Sequence, residues 1–381
     1  VAVATATSSE GSNVQLVINA SEVGRRRGGN ETFIAGVVSG LAQLAPTHPW
    51  FNSGQVSLLT CDWEQPDDLP GDFHRVNLGA YKRLPFFLWQ QTQTLRNLGA
   101  DWYLSNFFFP PILPCKGFVA VHDVSFMAHP EYFPPVVAAY MRLLTGRAVR
   151  QAARILTISD FSRRELVHFF PGCDDKVSVI PLAAESHFLP AADEAAKEAD
   201  RRCLEQYGVK GPYILALGNI HPRKNLARLL DAYLLLRDQV AQPPALVWSG
   251  LQRWESSGLI QRAQEAGVIL TGFVADQHLP ALYRQAAMLV YPSLYEGFGL
   301  PVLEAMGCGT PVVASSTTSL PEVAGDAGLL VDPRDVAAMA DGMRRLVTEP
   351  QLSQVLVEAG FAQAARFSWK RTAGLLLDQL G

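Results

Sequence analysis

From Val14 onward the chain alternates short β-branched runs with longer helical patterns, in two successive series. No other feature constrains the fold as strongly. A strand, a helix and a further strand in succession place the two strands parallel in one sheet, with the helix crossing a face. In the first series, strands are predicted at residues 15–20, 56–60, 75–78, 102–105, 118–122, 155–159 and 177–181. In the second they are predicted at 213–218, 245–249, 268–272, 288–292, 311–314 and 329–331. Between the series, from about Glu185 to Val209, the pattern loosens into an alanine- and acid-rich segment, residues 191–202, with no strand. The expected fold is α/β: two Rossmann-like doubly wound domains facing a cleft, over residues 13–187 and 205–360. A chain of 381 residues is also longer than one hydrophobic core usually organises. Helical stretches near 351–365 and 369–380 have no strand after them and are expected to brace the two domains, residues 361–381 packing back on the first.

Composition narrows the function classes. With 48% hydrophobic and 18% charged residues the chain is globular. A net charge of −4 gives no general attraction for nucleic-acid phosphates, so no nucleic acid is expected. Five cysteines (Cys61, Cys115, Cys173, Cys203, Cys308) are an odd number without a C-x-x-C pair. That fits buried thiols in a reducing compartment, so a cytoplasmic protein is expected. No apolar run has the length of a spanning helix, and residues 1–12 lack the basic-then-apolar order of a signal peptide. Arg25–Arg27 and the run Tyr81-Lys-Arg-Leu-Pro-Phe-Phe-Leu-Trp89 mix cations and aromatics. They keep a peripheral contact with the inner face of the membrane open beside the plainer reading of solvated loop and core helix.

The densest stretch is Tyr291-Pro-Ser-Leu-Tyr-Glu-Gly-Phe-Gly-Leu-Pro-Val-Leu-Glu-Ala-Met306. A strand ends, a glycine-containing turn follows, and a helix begins near Pro301, where no backbone donor is lost. The amides of Gly299 to Val302 are then placed to hold an anion. Glu296 falls in the turn and Glu304 in the first helical turn, so both carboxylates can line one pocket, one meeting sugar hydroxyls and the other a ribose diol. The plainer alternative makes Glu304 a partner of the helix dipole and Glu296 a solvated acid. The stretch Gly218-Asn-Ile-His-Pro-Arg-Lys-Asn225 likewise sits where a strand ends and a helix begins. Ligands of open α/β sheets bind at such ends, and Arg223 and Lys224 suit a diphosphate. An exposed basic turn is the alternative.

Two glutamates eight residues apart around G-F-G-L-P, followed by E-A-M-x-x-G-x-P-V-V, together with P-R-K-N, resemble the signature of glycosyltransferase family 4. The likeness extends through Val121-His-Asp-Val-Ser-Phe126, His129-Pro-Glu-Tyr-Phe133, Ile158-Ser-Asp-Phe-Ser-Arg-Arg-Glu-Leu166 and Val179-Ile-Pro181. It implies a retaining, metal-independent enzyme of the two-domain GT-B architecture. The C-terminal domain would hold a nucleotide-sugar donor, and the first would hold a saccharide or lipid-linked saccharide acceptor. It also implies that Glu296 contacts the transferred sugar, Glu304 the ribose, and Lys224 with Arg223 the diphosphate. Many relatives carry an arginine where this chain has Asn219. Gly272, Phe273 and Val274 would flank the nucleobase, while Gly297, Phe298, Gly299 and Leu300 would shape the donor loop. His122 would stand near the reaction centre, its imidazole neutral or charged, beside the plainer reading of a hydrogen-bonded structural histidine. From the residues themselves, Gly28 and Gly29 close the loop after the first strand, where their amides can face phosphate or acceptor or simply form a flexible turn. The H-D-V-S-F and P-E-Y-F combination resembles mannosyltransferase-rich branches, which makes GDP-mannose the first expectation for the donor and a UDP-sugar the second. No protein nucleophile is apparent, so a front-side route is expected. A nucleotide-sugar epimerase and a non-catalytic nucleotide-sugar binding protein are the alternatives. Asp62-Trp-Glu64 superficially resembles an acidic metal-binding pair, but nothing around it supports that, so it reads as a polar loop and no cofactor is expected.

Overall fold

The computed structural model describes residues 14–24, 29–62, 69–79, 89–251 and 257–380. Gly28, Arg25–Arg27, Trp63, Glu64 and residues 81–88 lie outside the described residues. The first sheet contains β1 (Val14–Asn19), β2 (Gly54–Thr60), β3 (His74–Asn77), β4 (Trp102–Asn106), β5 (Lys116–Ala120), β6 (Arg154–Thr157) and β7 (Val177–Val179). The second contains β8 (Tyr213–Leu217), β9 (Ala245–Ser249), β10 (Ile269–Gly272), β11 (Met288–Tyr291), β12 (Val312–Ser315) and β13 (Leu329–Val331). Their orders are β3-β2-β1-β4-β5-β6-β7 and β10-β9-β8-β11-β12-β13. Neighbouring strands are parallel in both. This is the doubly wound α/β fold that the alternation predicts. The strand order reverses between β1 and β4 in one sheet and between β8 and β11 in the other. At such reversals the connecting loops diverge and leave a crevice at the carboxyl ends of the strands.

Buried Leu16, Ile18, Phe33, Val37 and Leu41 of the first unit join Tyr213, Leu215, Tyr283 and Met306 of the second in one apolar cluster. Separate clusters fill the outer face of each sheet. The Trp369–Leu377 helix lies against the Gly29–Leu44 helix of the first unit. A Cβ at Gly36 would come within 2.3 Å of the Trp369 ring, and one at Gly40 within 2.0 Å of the Trp369 carbonyl. Glycine at both positions is what lets the C-terminal helix dock. The alanine-rich segment between the units forms the Glu194–Glu205 helix, capped by Asp193, whose carboxylate accepts the Ala196 amide at 2.7 Å. Its buried Asp200 meets Arg284 through bonds of 2.6 and 2.7 Å.

Candidate active site

The loops after β8 and β11 meet at the reversal in the second sheet, and their side chains form a buried polar cluster. The Lys224 ammonium lies 2.6 Å from Glu296 Oε1, donates to the Tyr291 hydroxyl, and sits 4.5 Å from the centroid of that ring. Tyr291 in turn donates to Glu296 Oε1 at 3.2 Å. Gly218 sets the path of the lysine: with φ at +124° its backbone suits glycine, and a Cβ there would lie 2.9 Å from Lys224 Cε. Asn225 takes a left-handed conformation (φ 60°) and anchors the turn by donating to the carbonyls of Pro292 at 3.1 Å and Pro333 at 2.6 Å. The Leu294 amide donates to the Arg223 carbonyl at 2.7 Å, which ties the two loops together.

Burial alone would raise the Glu296 pKa. Lys224 and Arg223 outweigh it and hold the carboxyl at about 2. Burial also pulls Lys224 below its ordinary value, against the pull of Glu296. The direction that governs the pair is that of Glu296, because two cations and the hydrogen bonds from Lys224 and Tyr291 favour its charge. Arg223 is raised chiefly by Glu296, with Asp123 of the first unit adding to the effect. The guanidinium therefore feels carboxylates of both units.

Glu304 occupies a different setting. The helix runs Leu300–Gly307 with Gly299 as its cap, so Glu304 is in the second turn and the first turn holds no acid. This corrects the first-turn placement and removes the dipole-capping alternative. Gly299 has φ 110°, and a Cβ there would lie 2.4 Å from Leu320, so the cap is reserved for glycine. Glu304 is buried and accepts the Tyr283 hydroxyl at 2.6 Å. Burial raises its pKa to about 7, the tyrosine opposing and Glu185 and Asp276 adding. It faces a cavity of about 820 Å³ between the units, also lined by Asn219, Leu251, Phe273, Asp276 and Leu300. Glu296 is not on that wall, because its ion pair draws it to Lys224.

The anion site at the helix start is narrower than the sequence suggests. The Val302 amide is bonded to the Gly299 carbonyl at 2.9 Å, and Pro301 has no N–H, which leaves Gly299 and Leu300 as the donors. Phe298 is buried against Phe367, and the Gly297 carbonyl is held by serines of the first unit. Gly272 has φ 65° and its carbonyl receives the Gly250 amide at 2.9 Å; Phe273 is 56% exposed at the cavity, while Val274 is buried. The Asn219 carboxamide oxygen receives the Leu251 amide at 3.3 Å. Gly29 begins the first helix.

His122 lies two residues past β5 and is buried, its Nε2 3.2 Å from Asn106 Oδ1 and its ring edge-on to Phe33 and Phe107. Burial brings its pKa down to about 4, so near neutral pH the imidazole is uncharged. Tyr283, Tyr291, Asn225, Ser159, Ser162 and Glu322 were not singled out from the sequence. Tyr291 and Asn225 lie inside the quoted motifs and were there to be found; the hydroxyl of Tyr283 has no local signature. Among the described residues, no group of three or more His, Cys, Asp or Glu side chains could hold a metal ion, and no helix is long and apolar enough to cross a membrane.

Residues 211–349 match the family model described as "Glycosyl transferases group 1". Over 270 residues the chain is 39% identical to O-antigen chain mannosyltransferase B of Escherichia coli, covering 70% of each protein. It is 32% identical over 275 residues to the serotype-specific mannosyltransferase WbdA of the same organism, matching 70% of this chain and 33% of that longer one. Sucrose-phosphate synthase of Thermosynechococcus elongatus superposes with a TM-score of 0.72 at 20% identity, covering 96% of this chain and 99% of that one, a likeness of fold.

Proposed function

The chain belongs to the group 1 glycosyltransferases, sugar-transferring enzymes of GT-B fold, and on that premise we propose that it moves mannose from GDP-mannose, with retention and without a metal ion, to a saccharide hydroxyl. The observation that carries this reading is the buried Lys224–Glu296–Tyr291 cluster at the strand-order reversal. A buried ion pair contributes little stability by itself, so a pair set at a ligand crevice invites a functional reading. Arg223 and Lys224 would receive the diphosphate as it leaves with the electron pair of the anomeric C–O bond, and the amides of Gly299 and Leu300 would add donors. A leaving oxygen on the same face would take the proton of the incoming hydroxyl, giving the glycoside and the nucleoside diphosphate. Glu296 suits the transferred sugar's hydroxyls and Glu304 the ribose. A neutral His122 suits a hydrogen bond to the sugar but not the supply of positive charge. The names of the E. coli relatives favour mannose.

The test is a thermal-shift screen across GDP-, UDP-, ADP- and dTDP-sugars, in which a ligand bound only by the native state raises the melting temperature. It is followed by turnover of GDP-mannose with a mannose-terminated oligosaccharide. GDP-mannose should give the largest shift, and Glu296→Ala should bind it while losing at least about a hundredfold in turnover. A larger shift with a UDP-sugar would reassign the donor. A new sugar isomer formed without acceptor would mark an epimerase, and binding without release of nucleoside diphosphate a binding protein.

A peripheral membrane contact also belongs to this reading. The Pro135–Gln151 helix carries three arginines and no acid, and it exposes Val136 (81%), Tyr140 and Leu143, with exposed Ile112 brought beside it by the bond from Arg147 to the Pro111 carbonyl. The apolar and basic face of this helix, with Val136, Tyr140 and Leu143 beside its arginines, suits an anionic bilayer. Wild-type protein should sediment with phosphatidylglycerol vesicles and Val136→Glu with Leu143→Glu should not; equal sedimentation of the two would remove this face from the reading.

A further inference from the structure

Two hydroxyls and one carboxylate join the two sheet units beside Glu296. Ser159 caps the Asp160–Phe169 helix, its Oγ accepting the Ser162 amide at 3.0 Å, and it donates its own proton to the Gly297 carbonyl at 2.7 Å. Ser162 Oγ donates to the same carbonyl at 3.0 Å. A hydroxyl donates once and accepts twice, and a carbonyl oxygen has two lone pairs, so the three bonds are compatible. Both serines and Gly297 are buried.

From the second unit, Glu322 accepts the amides of Asp160 at 2.8 Å and Phe161 at 2.7 Å. These are the first N–H groups of that helix, which have no partner within it. Ser319, three residues before Glu322, reaches the carbonyls of Glu296 at 2.9 Å and Phe298 at 2.8 Å. The donor loop, the 319–322 corner and the helix start thus close a ring that exists only while the two units are together. Gly297 permits the approach: a Cβ there would lie 2.8 Å from the His122 carbonyl and 3.0 Å from Asp123 Cβ.

We propose that Ser159, Ser162 and Glu322 are positioning residues of the transfer reaction, setting the depth of the 296–298 loop, and with it Glu296, when the cleft closes. The role rests on the transferase reading. Reacting groups held out of place by about 1 Å lose roughly a hundredfold in rate, whereas the donor contacts outside that loop, at Arg223, Lys224 and Glu304, stay intact. Ser159→Ala with Ser162→Ala should therefore lower kcat roughly 10- to 100-fold and leave KM for GDP-mannose within about twofold. The Ser→Thr pair, which keeps both hydroxyls, should recover most of the rate. Glu322→Ala tests the same lock without touching a buried hydroxyl and serves if the serine variant does not fold; Glu322→Gln, keeping one acceptor, should fall between. Small-angle scattering with and without GDP-mannose gives a readout besides activity, with a larger radius of gyration expected for the alanine variants. A radius equal to wild type, an unchanged kcat, or a KM that worsens in step with kcat overturns the lock. A wild-type chain that turns over none of the four nucleotide sugars defeats the transferase reading instead, and the scattering comparison still decides on the lock.

Discussion

Glu296 and Glu304 stand on one short turn-and-helix stretch and are equally buried, yet their carboxyls are driven in opposite directions, to about 2 and about 7. Burial pushes both upward. What separates them is the partner: two cations for Glu296, a neutral tyrosine hydroxyl and distant acids for Glu304. One site is therefore a permanently charged clamp, and the other a carboxyl that is half protonated near neutrality and can offer a ligand diol either a donor or an acceptor. Position in a motif does not set a residue's chemistry; the neighbours brought by the fold do.

The largest effect should come from breaking the clamp. Lys224→Ala leaves Glu296 buried without its closest cation, which should cost about 3–5 kcal/mol of stability and reduce turnover at least about a hundredfold. Combining Lys224→Met with Glu296→Leu removes both charges and should restore most of the melting temperature without restoring turnover. A double variant as unstable as Lys224→Ala would show that the pair holds the fold and would remove the contrast with Glu304.

The second test uses pH. The folded pKa of Glu304 is raised above its unfolded value near 4.5, so its contribution to stability is present below pH 4.5 and is lost as the pH rises through 7. A shift of this size corresponds to about 3 kcal/mol. Glu304→Gln should match wild type near pH 4.5 and exceed it at pH 8 by a margin of that order, read from denaturant midpoints. Glu296 has the opposite sign: its contribution is present above pH 4.5 and lost as the pH falls through 2. A Glu304→Gln curve parallel to wild type across pH 4.5–8 would mean that the two carboxyls do not differ as described.

The same contrast shows what the sequence could and could not tell. The strands were legible because alternation of β-branched runs and helical patterns is a local property, and Lys224 and Glu296 were legible as motif residues. Their pairing was not: they lie 72 residues apart, and only the non-consecutive adjacency of β8 and β11 brings their loops together. Tyr283, which sets Glu304 apart from an ordinary acid, sits in the Leu279–Arg284 helix with no pattern to distinguish it from any core tyrosine. Ser159 caps a helix with its Oγ, a local role, but its second bond, to Gly297, reaches across 138 residues of sequence. The placement of Glu304 failed for a local reason, since a left-handed glycine cap fixes the helix start at Leu300.

The smallest effect separates the ligand side of the Glu304 pocket from its structural side. Phe273 is 56% exposed at the cavity wall, next to Gly272, whose positive φ turns the chain at the end of β10. A ring so exposed contributes little to the core, so Phe273→Ala should leave the melting temperature of the free protein nearly unchanged. If the nucleobase lies against it, the loss of one stacked aromatic contact amounts to about 0.5–1.5 kcal/mol, a several-fold rise in the GDP dissociation constant measured by calorimetry. Val274 is buried, so Val274→Ala should do the reverse, lowering stability with little direct effect on GDP binding. An unchanged GDP affinity in Phe273→Ala would move the base away from the β10 loop and leave the ribose contact of Glu304 as the part of the nucleoside reading still to be tested.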